Sequence, residues 1–210
     1  MSSIMNYQSD TLNFILTKFK DTIDINYKTP QNITALHVIC FKKRNSLTEG
    51  CETFLQMKNL DVNAKTNNSY TPIQLAAINK NYSIMSELLK NQNVDVNVRD
   101  ENDNTLLHLM FMTSQNSPFS LQKSADFLDI IKVLIDRNVD ILATNKAKKN
   151  VLNEISALIN NNRYKYLHSV YVSSLEIIVQ NIKGNKKIVK KSISKSIIEN
   201  SAILKKILNE

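Results

Sequence analysis

Glycine is nearly missing: the 210 residues hold 2, alongside 3 prolines, 2 cysteines and no tryptophan. Two glycines cannot supply a glycine-rich phosphate loop. So few also suit a helix-rich chain, while leaving some turns without their usual residue. Cys40 and Cys51 fall inside helical patterns, where small buried thiols are expected rather than a disulfide. No run of 18 apolar residues occurs, so no membrane-spanning helix is expected. The start, Met1 to Asn6, has neither a basic stretch nor an apolar core, so no secretory signal is expected. The three histidines sit in no Ser-His-Asp or Cys-His arrangement, and none has partners at metal-ligand spacing. Neither an enzyme nor a cofactor or metal site is therefore expected.

What is present is an ordered composition with an uneven charge. Apolar residues make up 42% of the chain, enough to build a core. The net charge of +8 is one-sided. Residues 1–140 carry 14 Lys and Arg against 15 Asp and Glu, whereas residues 141–210 carry 13 against 4. Lysine, asparagine and isoleucine are abundant, which fits a source with AT-rich codons.

The chain is organised around 61–90. Asp61-Val62-Asn63 leads to a polar tip ending at Tyr70, then Thr71-Pro72-Ile73-Gln74-Leu75-Ala76-Ala77, a break at Asn79 to Tyr82, and Ile84 to Leu89. Thr71 can cap a helix, and Pro72 at its first position has no N–H to waste. Ile73, Ala76 and Ala77 stripe one short helix; Ile84, Leu88 and Leu89 stripe a second. Such a pair cannot bury both faces alone and needs copies beside it. The copies exist. Asp-x-Asn recurs at Asp24, Asp61 and Asp95, with a degraded Asp140-Ile141-Leu142. Ten residues after each Asp stands a capping residue: Thr34, Thr71, Thr105 and Asn150.

These motifs resemble ankyrin repeats, specifically over Asp24 to Val139 and more weakly to about Gln180. The resemblance implies an all-α solenoid of stacked helix pairs joined by hairpin-like loops. Residues 1–23 are then a capping helix with Leu12, Ile15, Leu16 and Phe19 inward. Repeats span 24–60, 61–94, 95–139 and a degenerate 140–182, and 183–210 forms a basic helical cap. The third repeat carries an insertion beginning near Ser114, with Pro118 barring a continuous helix. Thr34, His37, Thr71, Pro72, Thr105 and His108 occupy motif positions that the family uses structurally, its His tying neighbouring units. Asn32 and Ser69 stand where the family prefers glycine, so a positive φ is expected at both.

The resemblance also implies a non-enzymatic module binding a protein partner through its tips and the exposed side of each first helix. Carried onto this chain, those positions are Tyr27, Lys28, Gln31, Ile33, Phe41 and Lys42 in the first repeat. In the second they are Lys65, Asn67, Asn68, Tyr70, Ile78 and Asn79. In the third they are Arg99, Glu101, Asn102, Asn104, Met112 and Thr113. The fourth offers Thr144, Lys146, Ala147 and Lys149. The expected role is adaptor, scaffold or competitive inhibitor, as a cytoplasmic monomer, the family analogy being host-directed ankyrin proteins of microbes and viruses. The alternative is a peripheral binder of anionic membrane or nucleic acid, working through Lys183, Lys186, Lys187, Lys190 and Lys191. No aromatic residue interleaves with those lysines, which argues against base stacking.

Overall fold

The structure is a computed structural model and describes residues 18, 22–41, 49–114, 121–161, 168–182, 186–193, 198 and 202–209. The expected N-terminal cap, 1–23, therefore lies outside the described residues except for Lys18, Thr22 and Ile23; Lys42, Lys183 and Pro118 lie outside them too. Ten helices and no strand occur among the described residues. The chain is all-α and divides into two compact units, Met1–Asp95 and Val96–Glu210.

In the first unit, α1 (Ala35–Phe41) and α2 (Glu49–Leu55) precede α3 (Pro72–Ile78) and α4 (Tyr82–Lys90). First helix packs on first helix, α1 on α3, and second on second, α2 on α4. Buried Leu36 and Cys40 of α1, with Ile73, Ala76 and Ala77 of α3, fill the layer between first helices. Two alanines there keep the side chains small, so the helices can approach closely. Ile84, Met85, Leu88 and Leu89 bury the inward side of α4.

The second unit repeats this plan. It comprises α5 (Leu106–Ser114), α6 (Leu121–Asp136), α7 (Val151–Asn160), α8 (His168–Gln180), α9 (Lys186–Ser192) and α10 (Ala202–Asn209). Here α5 packs on α7, α6 on α8, α9 on α7 and α10 on α8. Helix α5 is apolar on nearly every side, and all of Leu106 to Phe111 is buried. Phe111 meets Phe127 edge-on, with ring centroids 5.2 Å apart at 89°. Such a contact adds about 1 kcal/mol beyond area burial. The Tyr171 hydroxyl ends this cluster on Ser114 Oγ at 2.8 Å, so the polar tip of a fully buried ring is satisfied.

The insertion in the third repeat is partly helical. Residues from 121 onward extend the second helix to 16 residues, against 9 in α4, while 115–120 lie outside the described residues. Phe127, Ile130, Ile131 and Leu134 bury one face of it at i, i+3, i+4 and i+7.

The four tips share one turn. The residue two before each cap has a positive φ: Asn32 at 57°, Ser69 at 61°, Asp103 at 60° and Lys148 at 58°. The residue five before each cap closes the turn: the Ile33 N–H donates to Thr29 Oγ1, Tyr70 to Thr66 Oγ1, Asn104 to Asp100 Oδ1 and Lys149 to Asn145 Oδ1. A short side chain with an acceptor oxygen is needed there, and Thr, Thr, Asp and Asn each supply one.

Candidate functional site: a neutral apolar groove beside the tips

The groove depends on how the first helices begin. The Thr34 N–H donates to His37 Nδ1 at 3.1 Å, and the Thr34 hydroxyl lies 2.9 Å from the same nitrogen. A ring nitrogen accepting an N–H carries no proton, so the proton sits on Nε2. Nε2 then donates toward the carbonyls of Ala64 and Tyr70, both at 3.1 Å, which holds the second tip against the first helix. In the second unit the Thr105 N–H donates to His108 Nδ1, and His108 Nε2 lies 3.0 Å from the Lys149 carbonyl. Burial pushes the pKa of both histidines below the ordinary value of 6.5, partly offset by these carbonyls.

Other residues fill the same place in the remaining units. The Gln74 side-chain oxygen accepts the Thr71 N–H at 2.9 Å; its own amide nitrogen is buried with no partner among the described residues. Asn150 and Asn153 cap each other reciprocally at 3.0 and 3.1 Å. Pro72 is the buried first residue of α3. The Asp-x-Asn asparagines act between units of the repeat. Asn26 donates to the Asn59 carbonyl and accepts the Asp61 N–H. Asn63 does the same with Asn93 and Asp95, and Asn97 accepts from Asp140.

With tips and helices pinned, the first unit presents a groove of about 550 Å³. Its lining combines the apolar or aromatic Ile33, Val38, Phe41, Tyr70 and Leu75 with His37 and the uncharged polar Gln31, Thr66, Asn67 and Asn68. Phe41 is 62% and Val38 44% exposed, although both are apolar. No lining residue carries an ionised side chain, His37 being held neutral by its two sets of partners.

The groove gathers Gln31, Ile33, Phe41, Asn67, Asn68 and Tyr70 from the sequence-derived set. Tyr27, 67% exposed, and Lys28 and Lys65 stand on the tips without lining it. Ile78 is half-buried and outside it, and Asn79 uses its amide to cap α3 on the Leu75 carbonyl. Asn67 also bonds back to the first tip, donating to the Pro30 carbonyl and accepting from Asn32. Val38 and Leu75 were not anticipated from the sequence. Their signal was spacing: each lies four residues after its cap, three before Phe41 or Ile78, and so on the same helix face.

In the second unit Arg99, Glu101, Asn102 and Met112 are exposed, as are Thr144, Lys146, Ala147 and Lys149. Arg99 lies 3.6 Å from the Asp140 carboxylate and donates to the Thr144 carbonyl. The Thr113 hydroxyl is turned onto the Leu109 carbonyl. Asn104 differs from the exposed position expected of it. It is only 4% exposed, and its amide bonds Asp100 Oδ2 and Asn145 Nδ2, both at 2.9 Å. Buried and bonded at both ends of its amide, Asn104 is withdrawn from the surface.

Residues 1–100 match the family model described as ankyrin repeats (3 copies). Over that stretch the chain is an array of ankyrin repeats. The bond of His108 to the Lys149 carbonyl, and that of the Asp140 N–H to Asn97, carry past residue 100 the pattern of His37 and Asn63 within the matched stretch. No match was found among curated proteins. Ankyrin repeats are generally protein-protein interaction modules and typically non-enzymatic. Among the described residues no three His, Cys, Asp or Glu side chains gather as a metal site would require. No helix among them is long and apolar enough to cross a membrane.

Proposed function

We propose that the protein binds a protein partner through the groove of the first unit, as an adaptor, scaffold or competitive inhibitor. The observation that carries this reading is the exposure of Phe41 and Val38 beside Tyr70 in a groove whose polar lining is neutral. Stability does not require a phenylalanine in water at that position, whereas an interface core favours one. The lining has no charge to pair with a charged group, so the partner presents an uncharged apolar side chain there. Gln31, Asn67 and Asn68 offer hydrogen bonds to its backbone. The exposed tip residues Tyr27, Lys28, Lys65, Arg99, Glu101 and Asn102, with Met112, extend the contact surface in their respective units. The protein acts as a monomer inside a cell. Its AT-rich residue usage supports a microbial or viral source engaging a host protein.

The test is affinity capture from a candidate host lysate with wild type and a Phe41→Ala/Tyr70→Ala variant. Loss of the captured protein, with helicity and melting temperature retained, supports the groove. Equal capture by both would place the contact elsewhere.

A further inference from the structure

The positive charge of residues 181–210 has no part in the groove. This stretch holds eight lysines and two glutamates, with no arginine and no aromatic residue. On α9, Lys187, Lys190 and Lys191 are exposed at i, i+3 and i+4, which is one side of a helix. Val189, on the opposite side, is buried, and α9 packs on α7. On α10, Leu204 and Leu208 are buried, α10 packs on α8, and Lys205 and Lys206 are exposed. Both helices therefore commit their apolar sides to the unit and turn lysines outward. Elsewhere Lys28, Lys90, Arg99, Lys132 and Lys149 each lie within 4.0 Å of a carboxylate, whereas the exposed Lys65, Lys146 and Lys148 have no such partner among the described residues. None of Lys187, Lys190, Lys191, Lys205 and Lys206 has such a partner among the described residues.

We propose that these lysines dock the protein on an anionic lipid surface by charge alone, without insertion. Charge complementarity fixes the sign of the partner. Lysine heads are compact hydrated point charges on flexible stems, which suit a fluid surface of lipid headgroups. Fixed phosphate geometry is better matched by the arginine fork, which this stretch lacks. The missing aromatics leave no platform for stacked bases. Because Val189, Leu204 and Leu208 are already buried, nothing apolar from these positions is free to enter the hydrocarbon. Affinity then rests on the lysines, each contributing about fivefold near an anionic surface.

The experiment is vesicle co-sedimentation of the full chain, with phosphatidylcholine vesicles and with vesicles containing about 30% phosphatidylserine. Salt is set at about 50 mM and about 500 mM. Binding is expected to the anionic vesicles at low salt only. Lys187→Gln/Lys190→Gln/Lys191→Gln should weaken it about a hundredfold. Lys58→Gln/Lys90→Gln/Lys132→Gln removes the same charge elsewhere and should weaken it less than about tenfold. Thermal melts of both variants exclude unfolding as the cause. Absence of phosphatidylserine-dependent binding overturns the proposal, as does equal weakening by the two variants. Tighter binding to a short DNA duplex than to the vesicles at the same salt overturns it in favour of nucleic acid.

Discussion

His37 Nε2 lies 3.1 Å from the carbonyl oxygen of Ala64, 27 residues further along the chain. The contact is made by a ring whose other nitrogen accepts the Thr34 N–H, so one neutral imidazole joins a helix start to the next tip. Protonation of Nδ1 would remove that acceptor. Burial holds the pKa of His37 and His108 below 6.5 in the folded protein, whereas unfolded histidine titrates near 6.5. Between the folded value and 6.5 the unfolded chain binds more protons, so stability rises with pH in that window. The melting temperature should be flat from about pH 7.5 down to 6.5 and fall below it. A His37→Gln/His108→Gln variant should show a shallower fall over the same range. An unchanged slope would contradict the neutral, bridging assignment.

Glutamine is the informative replacement because Gln74 already accepts the Thr71 N–H at 2.9 Å in the equivalent place. His108→Gln should therefore cost less than His108→Ala. The alanine variant strands the Thr105 N–H and the Lys149 carbonyl and leaves a cavity, a loss of about 2–4 kcal/mol. Chemical denaturation of both variants measures the difference. Equal losses would mean that packing, rather than hydrogen bonding, fixes this residue.

Ser69 and Lys148 adopt φ of 61° and 58°, a region that strains any residue with a Cβ. Asparagine at 32 tolerates it better. Ser69→Gly and Lys148→Gly should each stabilise by about 0.5–1 kcal/mol, the relieved strain exceeding glycine's entropic cost. Thermal melts read this directly, and a lowered melting temperature in both would contradict the shared turn.

Asn63 donates to the Asn93 carbonyl at 2.7 Å and accepts the Asp95 N–H at 2.9 Å. Asn63→Ala removes both bonds at a half-buried site and should cost about 1–2 kcal/mol. Asn63→Asp keeps the acceptor and loses the donor, so it should fall between. Urea titration of the three proteins gives the order, and an alanine variant as stable as wild type would remove Asn63 from the inter-repeat ladder.

Much of the fold was legible because the turn has a fixed length. Ten residues separate Asp24 from Thr34, and the same ten separate Asp140 from Asn150 although the latter motif has decayed. The capping chemistry survives there through Asn150 and Asn153. The requirement for an acceptor at Thr29, Thr66, Asp100 and Asn145 was missed, since Thr, Asp and Asn in a polar tip look unremarkable until the turn closes on them. Asn104 misled for a related reason. It sits beside a cap, where Tyr70 is half-exposed, but Asp100 and Asn145 draw its amide inward. Val38 was passed over because an apolar residue on an amphipathic helix reads as core. Only the position of the second tip leaves it facing the groove.

The most direct test of the groove is deuterium exchange on the purified protein with and without its captured partner. Slowed exchange concentrated in 31–41 and 66–75, the segments that line the groove, is the predicted result. Unchanged exchange there, with slowing confined to 99–113 or to α9 and α10, would contradict it.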